Sequence, residues 1–509
     1  MTAFSIDEYE KILQVTDLLV TGVPEPFRRK KVLFLTFDSR EVKEGTLFIC
    51  KGAGFREKFL RDAVDLGAVA YVSEKSYDVT VPGIIVSDIR KAMAVLADKF
   101  YGSAWKKLNI TAFGGTKGKS TSTCFMKSVV DEYMKKTGGK PSGLLSTICY
   151  YDGGKVQESR LTTPEAVELH RHMARAVENG ITWMELEVSS QALKYHRVDG
   201  LRFNVGVFLN ISRDHISSVE HKDFGDYFES KMKMFPMTDH AVVNLDSGFS
   251  NMALEAASSA GDVTTFSIED PGADYYGYDI ENWGEGYSFK VKGKNISGRF
   301  AIGMLGLFNV ENAMAVIAAA GVCGIPEDCV RKGLIQARAA GRMELFATAD
   351  NKIVVLVDYA HNDLSFRKLF ETVEKEGQDR SIYTVFGCPG GKAVERRADL
   401  GRIAGRYSRK VFLVPEDPGK ESAEDISREI SGYVNRENCQ YEIVDDRGLG
   451  IEKAMRQAEE SGRPAMILVT GKGRETRQKI GQEYVECPSD VDHVKKQIRK
   501  YDMRHFAGE

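Results

Sequence analysis

The residues with the clearest chemical meaning lie in the segment Gly114-Gly-Thr-Lys-Gly-Lys-Ser-Thr121, between an apolar stretch and a helical one. Glycines let the backbone curl so that successive N–H groups point inward at phosphate oxygens. Lys119 is placed to reach terminal phosphates, and Ser120 or Thr121 to offer a hydroxyl to Mg²⁺. The strict phosphate-loop spacing would put a glycine where this chain has Phe113, and a plain glycine turn before a helix is the alternative. Because strand, turn and helix patterns coincide, the segment predicts a nucleotide site.

Two further strand-like segments end in side chains that could bind a metal. Glu187 lies at the end of the apolar segment 181–188, and Asp214 and His215 follow the next one, 205–209. Side chains at the carboxyl ends of parallel strands face the ligand crevice. A carboxylate there could hold Mg²⁺ together with phosphate oxygens and water. A surface position is the alternative for such a glutamate.

Three other polar positions are ambiguous from residue type and spacing alone. Lys231 is typical of a solvated helix lysine. Arg197 suits a substrate carboxylate or any surface acid. Thr162 and Thr163, before a proline, are ordinary residues for the start of a helix. None of these residues identifies a reaction by itself.

Length and composition describe a multidomain protein without a charge bias. The chain has 509 residues, of which 42% are hydrophobic and 28% charged, and its formal net charge is −3. At roughly 150 residues per domain, about three domains are expected. Because positive and negative charges nearly cancel, there is no electrostatic reason to expect binding to nucleic acid or to an anionic membrane.

No segment is typical of a membrane span, a secretion signal or a disulfide framework. The longest apolar run, 313–325, is too short and too rich in Ala and Gly to cross a bilayer. The N-terminus has neither a basic start nor an apolar stretch. The eight cysteines are scattered, with no Cys-x-x-Cys among them. We therefore expect a soluble, cytoplasmic protein without membrane insertion. Separately, we expect a monomer.

The elements that must position these residues form three regimes, which we expect to be domains at 1–103, 104–338 and 339–509. The first contains short apolar runs and a closing helix, at 32–35, 46–49, 69–72 and 89–101. The second alternates strands with helices, which predicts a parallel sheet covered by helices; its strands and first helix are expected at 108–113, 120–135, 181–188, 205–209 and 241–245. The segment 288–302 predicts an appended β-hairpin. The third regime repeats five apolar strands at helix-length spacing, typical of a doubly wound, Rossmann-like domain; these are 353–357, 382–386, 411–414, 441–444 and 466–469.

Taken in order, the motifs of the chain resemble those of the Mur ligase family. They span roughly residues 38 to 475, and the matching segments are Asp38-Ser-Arg40, Gly115-Thr-Lys-Gly-Lys-Ser-Thr121, Leu161-Thr-Thr-Pro-Glu165, Glu187-Val-Ser-Ser190, Arg197-Val-Asp-Gly200, Asn210-Ile-Ser-Arg-Asp-His215, Lys231, Asn309-Val-Glu-Asn312, Gly341-Arg-Met-Glu344, Asp358-Tyr-Ala-His361, Phe386-Gly-Cys388 and Gly471-Lys-Gly-x-Glu475. The resemblance implies an α/β protein with a small UDP-binding N-terminal domain, a central phosphate-loop ATPase domain with a mostly parallel sheet, and a C-terminal Rossmann-like domain that binds an amino acid.

The resemblance also implies a reaction. ATP would phosphorylate the D-glutamyl γ-carboxylate of UDP-MurNAc-L-Ala-D-Glu, and the amine of an amino acid would attack the acyl phosphate, in peptidoglycan precursor synthesis. The implied ATP contacts are Gly115, Thr116, Lys117, Gly118, Lys119, Ser120, Thr121, Asn309 at the adenine and Asp358 near the ribose. The implied catalytic and Mg²⁺-binding set is Lys119, Thr121, Glu187, His215 and Lys231, the last as a carbamate formed with carbon dioxide. The implied UDP-MurNAc-dipeptide contacts are Ser39, Thr162, Thr163, Ser189 and Arg197.

The identity of the added amino acid depends on one departure from the family pattern. Members that add diaminopimelate carry Asp-Asn-Pro-Arg, whose arginine binds the distal carboxylate, whereas this chain has Glu416-Asp-Pro-Gly419. Arg397 matches the arginine for the α-carboxylate, and Glu416, Asp417 and Glu475 would attract a side-chain ammonium and repel a second carboxylate. We therefore expect L-lysine, with L-ornithine as the close competitor and meso-diaminopimelate as the third alternative.

Two other interpretations stay open from the sequence. Folylpolyglutamate synthase shares the ATPase and C-terminal domains, but it lacks a separate domain like residues 1 to about 103. A non-catalytic relative that binds nucleotide or precursor is favoured only by altered loops at 55–58 and 391–393. The presence of Lys119, Glu187, His215 and Lys231 argues against it.

Overall fold

The computed structural model of the protein describes residues 3–52, 54–212, 221–284, 286–376, 379–391 and 394–506. The chain divides into two compact units. The first comprises Met1–Ile280, Phe289–Ala301 and Glu311–Ala337, and the second comprises Glu281–Ser288, Ile302–Val310 and Arg338–Glu509. The domain borders expected after residues 103 and 338 stay predictions.

The first unit begins with a small α/β sheet. Its elements are β1 (Phe4–Ser5), α1 (Ile6–Val15), β2 (Leu19–Thr21), α2 (Glu25–Arg28), β3 (Lys31–Val32), β4 (Phe34–Thr36), β5 (Thr46–Ile49), α3 (Glu57–Asp65), β6 (Ala68–Ser73), β7 (Gly83–Val86) and α4 (Ile89–Phe100). The sheet order is β2-β7-β6-β5-β4, parallel apart from β2, while β1 pairs with β3. Helix α4 begins where the Asp88 carboxylate accepts hydrogen bonds from two backbone N–H groups, which satisfies donors that a helix start leaves unpaired.

A larger sheet follows in the same unit. Its elements are β8 (Asn109–Gly114), α5 (Lys119–Thr137), β9 (Gly143–Leu145), β10 (Cys149–Tyr151), β11 (Gln157–Glu158), α6 (Ala166–Glu178), β12 (Trp183–Glu187), α7 (Ser190–Lys194), β13 (Phe203–Phe208), α8 (Phe224–Met232), β14 (Thr238–Asn244), α9 (Ser250–Ala257), β15 (Asp262–Ser267), β16 (Tyr275–Asn282), β17 (Tyr287–Gly293), β18 (Gly298–Ile302), α10 (Leu307–Val322) and α11 (Glu327–Gln336). The strand order is β11-β10-β9-β12-β8-β13-β14-β15-β16-β17-β18, and the strands from β9 to β16 in that order run parallel.

The interior of this sheet explains why its strands read as apolar runs. Ile110, Ala112, Leu186 and Val207 are completely buried, as expected for parallel strands covered on both faces. The expected parallel sheet is confirmed, and β17 and β18 are neighbours at its edge, where the sequence predicts an appended hairpin. The carboxyl ends of β8, β12 and β13 therefore come to one edge of the sheet.

The second unit contains a six-stranded sheet. Its elements are β19 (Glu344–Ala347), β20 (Ile353–Asp358), α12 (Asp363–Glu376), β21 (Ser381–Phe386), α13 (Glu395–Tyr407), β22 (Lys410–Leu413), α14 (Ala423–Arg436), β23 (Gln440–Ile443), α15 (Arg447–Glu460), β24 (Ala465–Thr470), β25 (Arg477–Ile480), β26 (Glu483–Glu486) and α16 (Asp490–Phe506). The order is β19-β20-β24-β21-β22-β23, and only β19 pairs antiparallel. All five expected strands are present, and the expected α/β class is confirmed.

The sequence analysis missed β19. This strand has four residues at the edge of the sheet, and its side chains are half-buried or exposed. Its apolar run, Leu345-Phe-Ala347, has only three residues and was not recognised as a strand. Among the described residues, no helix combines the length and the apolar character that a bilayer crossing requires.

Candidate active site

The predicted phosphate loop lies where β8 ends and α5 begins. Gly115 and Gly118 have φ angles of 150° and 85°, which favour glycine. A Cβ atom on Gly118 would lie 2.2 Å from the Oδ1 atom of Asn312, so a larger residue would displace that side chain. The first N–H groups of a helix lack partners within it and attract anions. The loop is therefore shaped to receive phosphate.

Asn210, directly after β13, holds the loop in this conformation. Its carbonyl accepts a hydrogen bond from the Thr116 N–H at 2.9 Å. Its side-chain oxygen accepts from the Lys117 N–H at 2.9 Å, and its amide nitrogen donates to the Lys117 carbonyl at 3.1 Å. Asn210 was named only within a family motif, and this role was not predicted. A carboxamide beside a phosphate-loop strand was the available signal.

Two lysines meet at one carbonyl of the loop. The Lys119 ammonium donates to the carbonyls of Gly115 and Thr116, at 2.9 and 3.2 Å. The Lys231 ammonium donates to the Gly115 carbonyl at 2.7 Å. Lys231 is only 3% exposed, and its nitrogen lies 4.6 Å from the centre of the Tyr227 ring. The interpretation of Lys231 as a solvated helix lysine is therefore wrong.

Glu187 lies beside the loop, at the end of β12, paired in register with Phe113 of β8. It is completely buried, so the surface alternative for this residue is wrong. One carboxylate oxygen accepts hydrogen bonds from the Ser146 hydroxyl at 2.5 Å and the Thr147 N–H at 2.9 Å. Glu187 therefore places a negative charge in the wall next to the phosphate loop.

The oxygen donors near the loop are of the kind that Mg²⁺ prefers. Glu187 supplies a carboxylate and Thr121 a hydroxyl, and both are buried. Among the residues that the structure describes, no group of three or more His, Cys, Asp and Glu side chains could hold a metal ion. Phosphate oxygens and water would complete the coordination of such an ion. His215 lies outside the described residues.

Four of the five residues expected to bind the dipeptide converge next to Glu187. The Thr163 hydroxyl donates to the Glu187 carbonyl at 2.8 Å and accepts from the Ser189 N–H at 3.1 Å. Arg197 donates to the Thr163 carbonyl at 3.1 Å, and the Thr162 hydroxyl lies 3.1 Å from that of Thr147.

The fifth residue, Ser39, begins the 3₁₀ turn Ser39–Glu41, which follows β4. No hydrogen bond between described residues joins it to the other four. The structure thus brings Thr162, Thr163, Ser189 and Arg197 together and leaves Ser39 on a separate element.

The residues expected at the adenosine moiety belong to the second unit. The Asp358 carboxylate, at the end of β20, accepts hydrogen bonds from the N–H groups of Met343 and Ala360, at 2.8 and 2.7 Å. Asn309 is 1% exposed and donates to the Leu305 carbonyl at 2.7 Å. Both side chains are therefore held in fixed positions.

The residues expected to bind the amino acid have partners within the second unit. Arg397, on α13, forms ion pairs with Glu421 and Glu429, both at 2.7 Å. The Lys472 ammonium lies between Asp417 and Glu475, at 2.9 and 2.8 Å. Two of the three expected carboxylates therefore already share a cation.

Glu416 has a different environment from those two acids. Burial raises the pKa of its carboxyl to about 7, while Arg447 and Lys472 act in the opposite direction. One carboxyl oxygen has no hydrogen-bond partner among the described residues. A Cβ atom on Gly471 would lie 2.1 Å from that oxygen, so the glycine leaves room for the Glu416 carboxyl.

Comparisons with known proteins agree with this geometry. The profile of the Mur ligase middle domain matches residues 113–320, and that of the Mur ligase, glutamate ligase domain matches residues 341–473. A Streptococcus thermophilus protein named UDP-N-acetylmuramoyl-L-alanyl-D-glutamate–L-lysine ligase is 39% identical, over 91% of this chain and 92% of its own. A Streptococcus pneumoniae protein of the same name is 37% identical, over 91% of this chain and 93% of its own.

A solved structure, of a UDP-N-acetylmuramoyl-L-alanyl-D-glutamate–2,6-diaminopimelate ligase, has the same fold. It superposes with a TM-score of 0.67 at 24% identity and covers 98% of this chain and 99% of its own. The resemblance found in the sequence motifs is thereby confirmed. The chain belongs to the Mur ligase family.

Proposed function

We propose that the protein is an ATP-dependent ligase that adds L-lysine to UDP-MurNAc-L-Ala-D-Glu in peptidoglycan precursor synthesis. The observation that carries this proposal is the phosphate loop with Lys119 and the buried Lys231 at one carbonyl, beside the carboxylate of Glu187. The names of the Streptococcus proteins support the choice of substrate and of amino acid.

The loop suits the chemistry of phosphoryl transfer, which needs alignment and neutralisation of charge more than covalent help. The loop N–H groups, together with Lys117 and Lys119, would bind the ATP phosphates, with Gly115, Thr116, Gly118 and Ser120 shaping the loop. Asn309 and Asp358 would contact the adenosine. Mg²⁺, when bound, neutralises phosphate charge. Thr121, Glu187, His215 and Lys231 as a carbamate would hold it.

The added amino acid follows from the charges of the second unit. Arg397 would bind the α-carboxylate, and its Nε atom has no hydrogen-bond partner among the described residues. Glu416, Asp417 and Glu475 would favour a side-chain ammonium. Gly419 offers no cation for the distal carboxylate of diaminopimelate. L-ornithine, with the same charge and a shorter chain, is the nearest competitor.

Phosphate release with UDP-MurNAc-L-Ala-D-Glu, ATP and a panel of amino acids tests the proposal. We expect kcat/KM for L-lysine to exceed that for meso-diaminopimelate by about 100-fold or more, because the second carboxylate meets like charge. Lys119→Ala should lower turnover by about 100-fold or more. Lys135→Ala, an exposed lysine of the same helix, is the control and should change nothing.

Two results would contradict the proposal. Faster turnover with diaminopimelate than with lysine or ornithine would overturn the amino-acid assignment. ATP binding without turnover for any amino acid would favour a non-catalytic relative. We propose that the enzyme works as a cytoplasmic monomer on these small molecules, with functional domains at 1–103, 104–338 and 339–509; light scattering of the purified protein would test the monomer.

A further inference from the structure

A cluster of buried charges lies beside the proposed dipeptide site, within the first unit. The Lys51 ammonium lies 2.8 Å from one carboxylate oxygen of Glu165, and the Arg197 guanidinium lies 3.2 Å from the same oxygen. The side chains of Lys51, Glu165 and Arg197 are only 11%, 9% and 9% exposed. Two cations therefore share one oxygen of a single carboxylate, away from solvent.

The polar atoms of this cluster are not all satisfied. The second oxygen of Glu165 and the Nε atom of Arg197 are buried without a hydrogen-bond partner among the described residues. Burial lowers the pKa of Lys51, Glu165 opposes this shift, and Arg197 and Arg90 add to it. A buried cation without full compensation is costly, so the cluster favours an anion.

The cluster connects the N-terminal sheet with the wall of the phosphate loop. Lys51 follows β5, and its nitrogen lies 4.7 Å from the centre of the Phe37 ring. Arg197 donates to the Thr163 carbonyl, and the Thr163 hydroxyl donates to the Glu187 carbonyl. An anion bound by Lys51 and Arg197 would therefore lie close to the wall of the phosphate loop that contains Glu187.

We propose that Lys51 is a specificity-determining residue that receives, together with Arg197, the non-reacting α-carboxylate of the D-glutamyl residue. This inference rests on the proposed function, whose substrate carries two carboxylates and a diphosphate. The γ-carboxylate must reach the phosphate loop. Contacts that hold the α-carboxylate elsewhere would therefore determine which of the two carboxylates faces the loop. Glu165 stays as the internal counter-ion, and the substrate supplies the missing negative charge.

The test combines a variant of Lys51 with a substrate that lacks the α-carboxylate charge. The substrates are UDP-MurNAc-L-Ala-D-Glu and its analogue with D-isoglutamine, in which the α-carboxylate is a carboxamide. We expect the wild-type protein to prefer the acid by about 100-fold in kcat/KM. Lys51→Met should lose about 10-fold or more on the acid, mainly through KM, and little on the carboxamide. The KM for ATP should not change.

Two further variants separate recognition from folding. Lys51→Arg keeps a cation and should retain most of the preference for the acid. Lys43→Met removes an exposed lysine in the loop before β5, whose nitrogen also lies over a ring, 4.1 Å from the centre of Phe34. This control should leave both substrates unaffected.

An equal loss on the acid and the carboxamide would overturn the inference, because Lys51 would then support the structure or bind the diphosphate. No change in Lys51→Met would overturn it as well. These outcomes differ from a failure of the proposed function, in which the wild-type protein itself ligates no amino acid to either substrate.

Discussion

At the scale of single residues, the carbonyl of Gly115 is the point where the two lysines of the proposed site meet. Lys119, close in sequence, and Lys231, more than a hundred residues away, both donate to it. Two ammonium groups at one oxygen concentrate positive charge where phosphates would bind. The proposed carbamate at Lys231 would reverse one of these charges and supply a ligand for Mg²⁺.

Glu416 gives a pH-dependent prediction at the same scale. Burial raises the pKa of its carboxyl from 4.5 to about 7, so the folded state binds a proton that the unfolded state releases. Stability should therefore fall as the pH rises from about 4.5 to about 7, and the loss should be complete above that range. Glu416→Gln removes this group. The free energy of unfolding of the wild type, relative to the variant, should decline by up to roughly 3 kcal/mol between pH 5 and pH 8.

Urea unfolding of both proteins across this pH range measures the difference. Glu475→Gln is the matched control, because Glu475 is partly exposed and paired with Lys472. A pH-independent difference between the wild type and Glu416→Gln would show that Glu416 does not titrate in this range.

The proposed roles of single residues could be predicted only in part from the sequence. The spacing around Lys119 indicated its role, because all the relevant residues lie within one short segment. The role of Lys231 depends on how α8 packs near the loop, and only the family resemblance indicated it. The pairing of Lys472 with Asp417 joins residues 55 positions apart, and no local pattern encodes it.

At the scale of elements, strand, turn and helix around the phosphate loop follow from sequence patterns, whereas the contacts that fix the turn do not. The apolar runs predicted β8, β12 and β13, because their side chains are buried on both faces of the sheet. Asn210 holds the turn, and Asn312 accepts from Ser122 of α5, through tertiary contacts that periodicity does not show. Strand β19 escaped prediction because its apolar run has only three residues.

Two glycines at the ends of α5 give a matched test of the turn. Gly118 precedes the helix and Gly138 follows it, with φ angles of 85° and 77°. A Cβ atom would meet Asn312 at Gly118 and would have open space at Gly138. Both changes to alanine should cost about 1 kcal/mol of conformational strain. Only Gly118→Ala should also weaken ATP binding, by about 10-fold or more, because it displaces the turn.

Calorimetric titration with a non-hydrolysable ATP analogue measures the change in ATP affinity. Thermal unfolding measures the loss of stability that the strain causes. Equal ATP affinity in the two variants would mean that the geometry at Gly118 does not matter for the nucleotide.

At the scale of the whole molecule, the proposed reaction requires shielding of an acyl phosphate from water until the amine arrives. The chain passes from the first unit to the second for the last time between Ala337 and Arg338. We expect the C-terminal domain to move on the connections at 339–342 when ATP and UDP-MurNAc-L-Ala-D-Glu bind.

Small-angle X-ray scattering tests this closure. The radius of gyration should fall when both ligands are present, and the change should be smaller with either alone. The Lys119→Ala variant, which should bind ATP poorly, is the control. Identical profiles with and without ligands would contradict the closure.

Lys472 has one more consequence for the proposed enzyme. Its ammonium rests between Asp417 and Glu475, so a dissolved amino acid must compete for these acids with an amine that cannot diffuse away. Tethered groups reach effective concentrations of about the millimolar range. Half-saturation would then require free amino acid of comparable abundance, and the rate of ligation would follow the cell's supply of it.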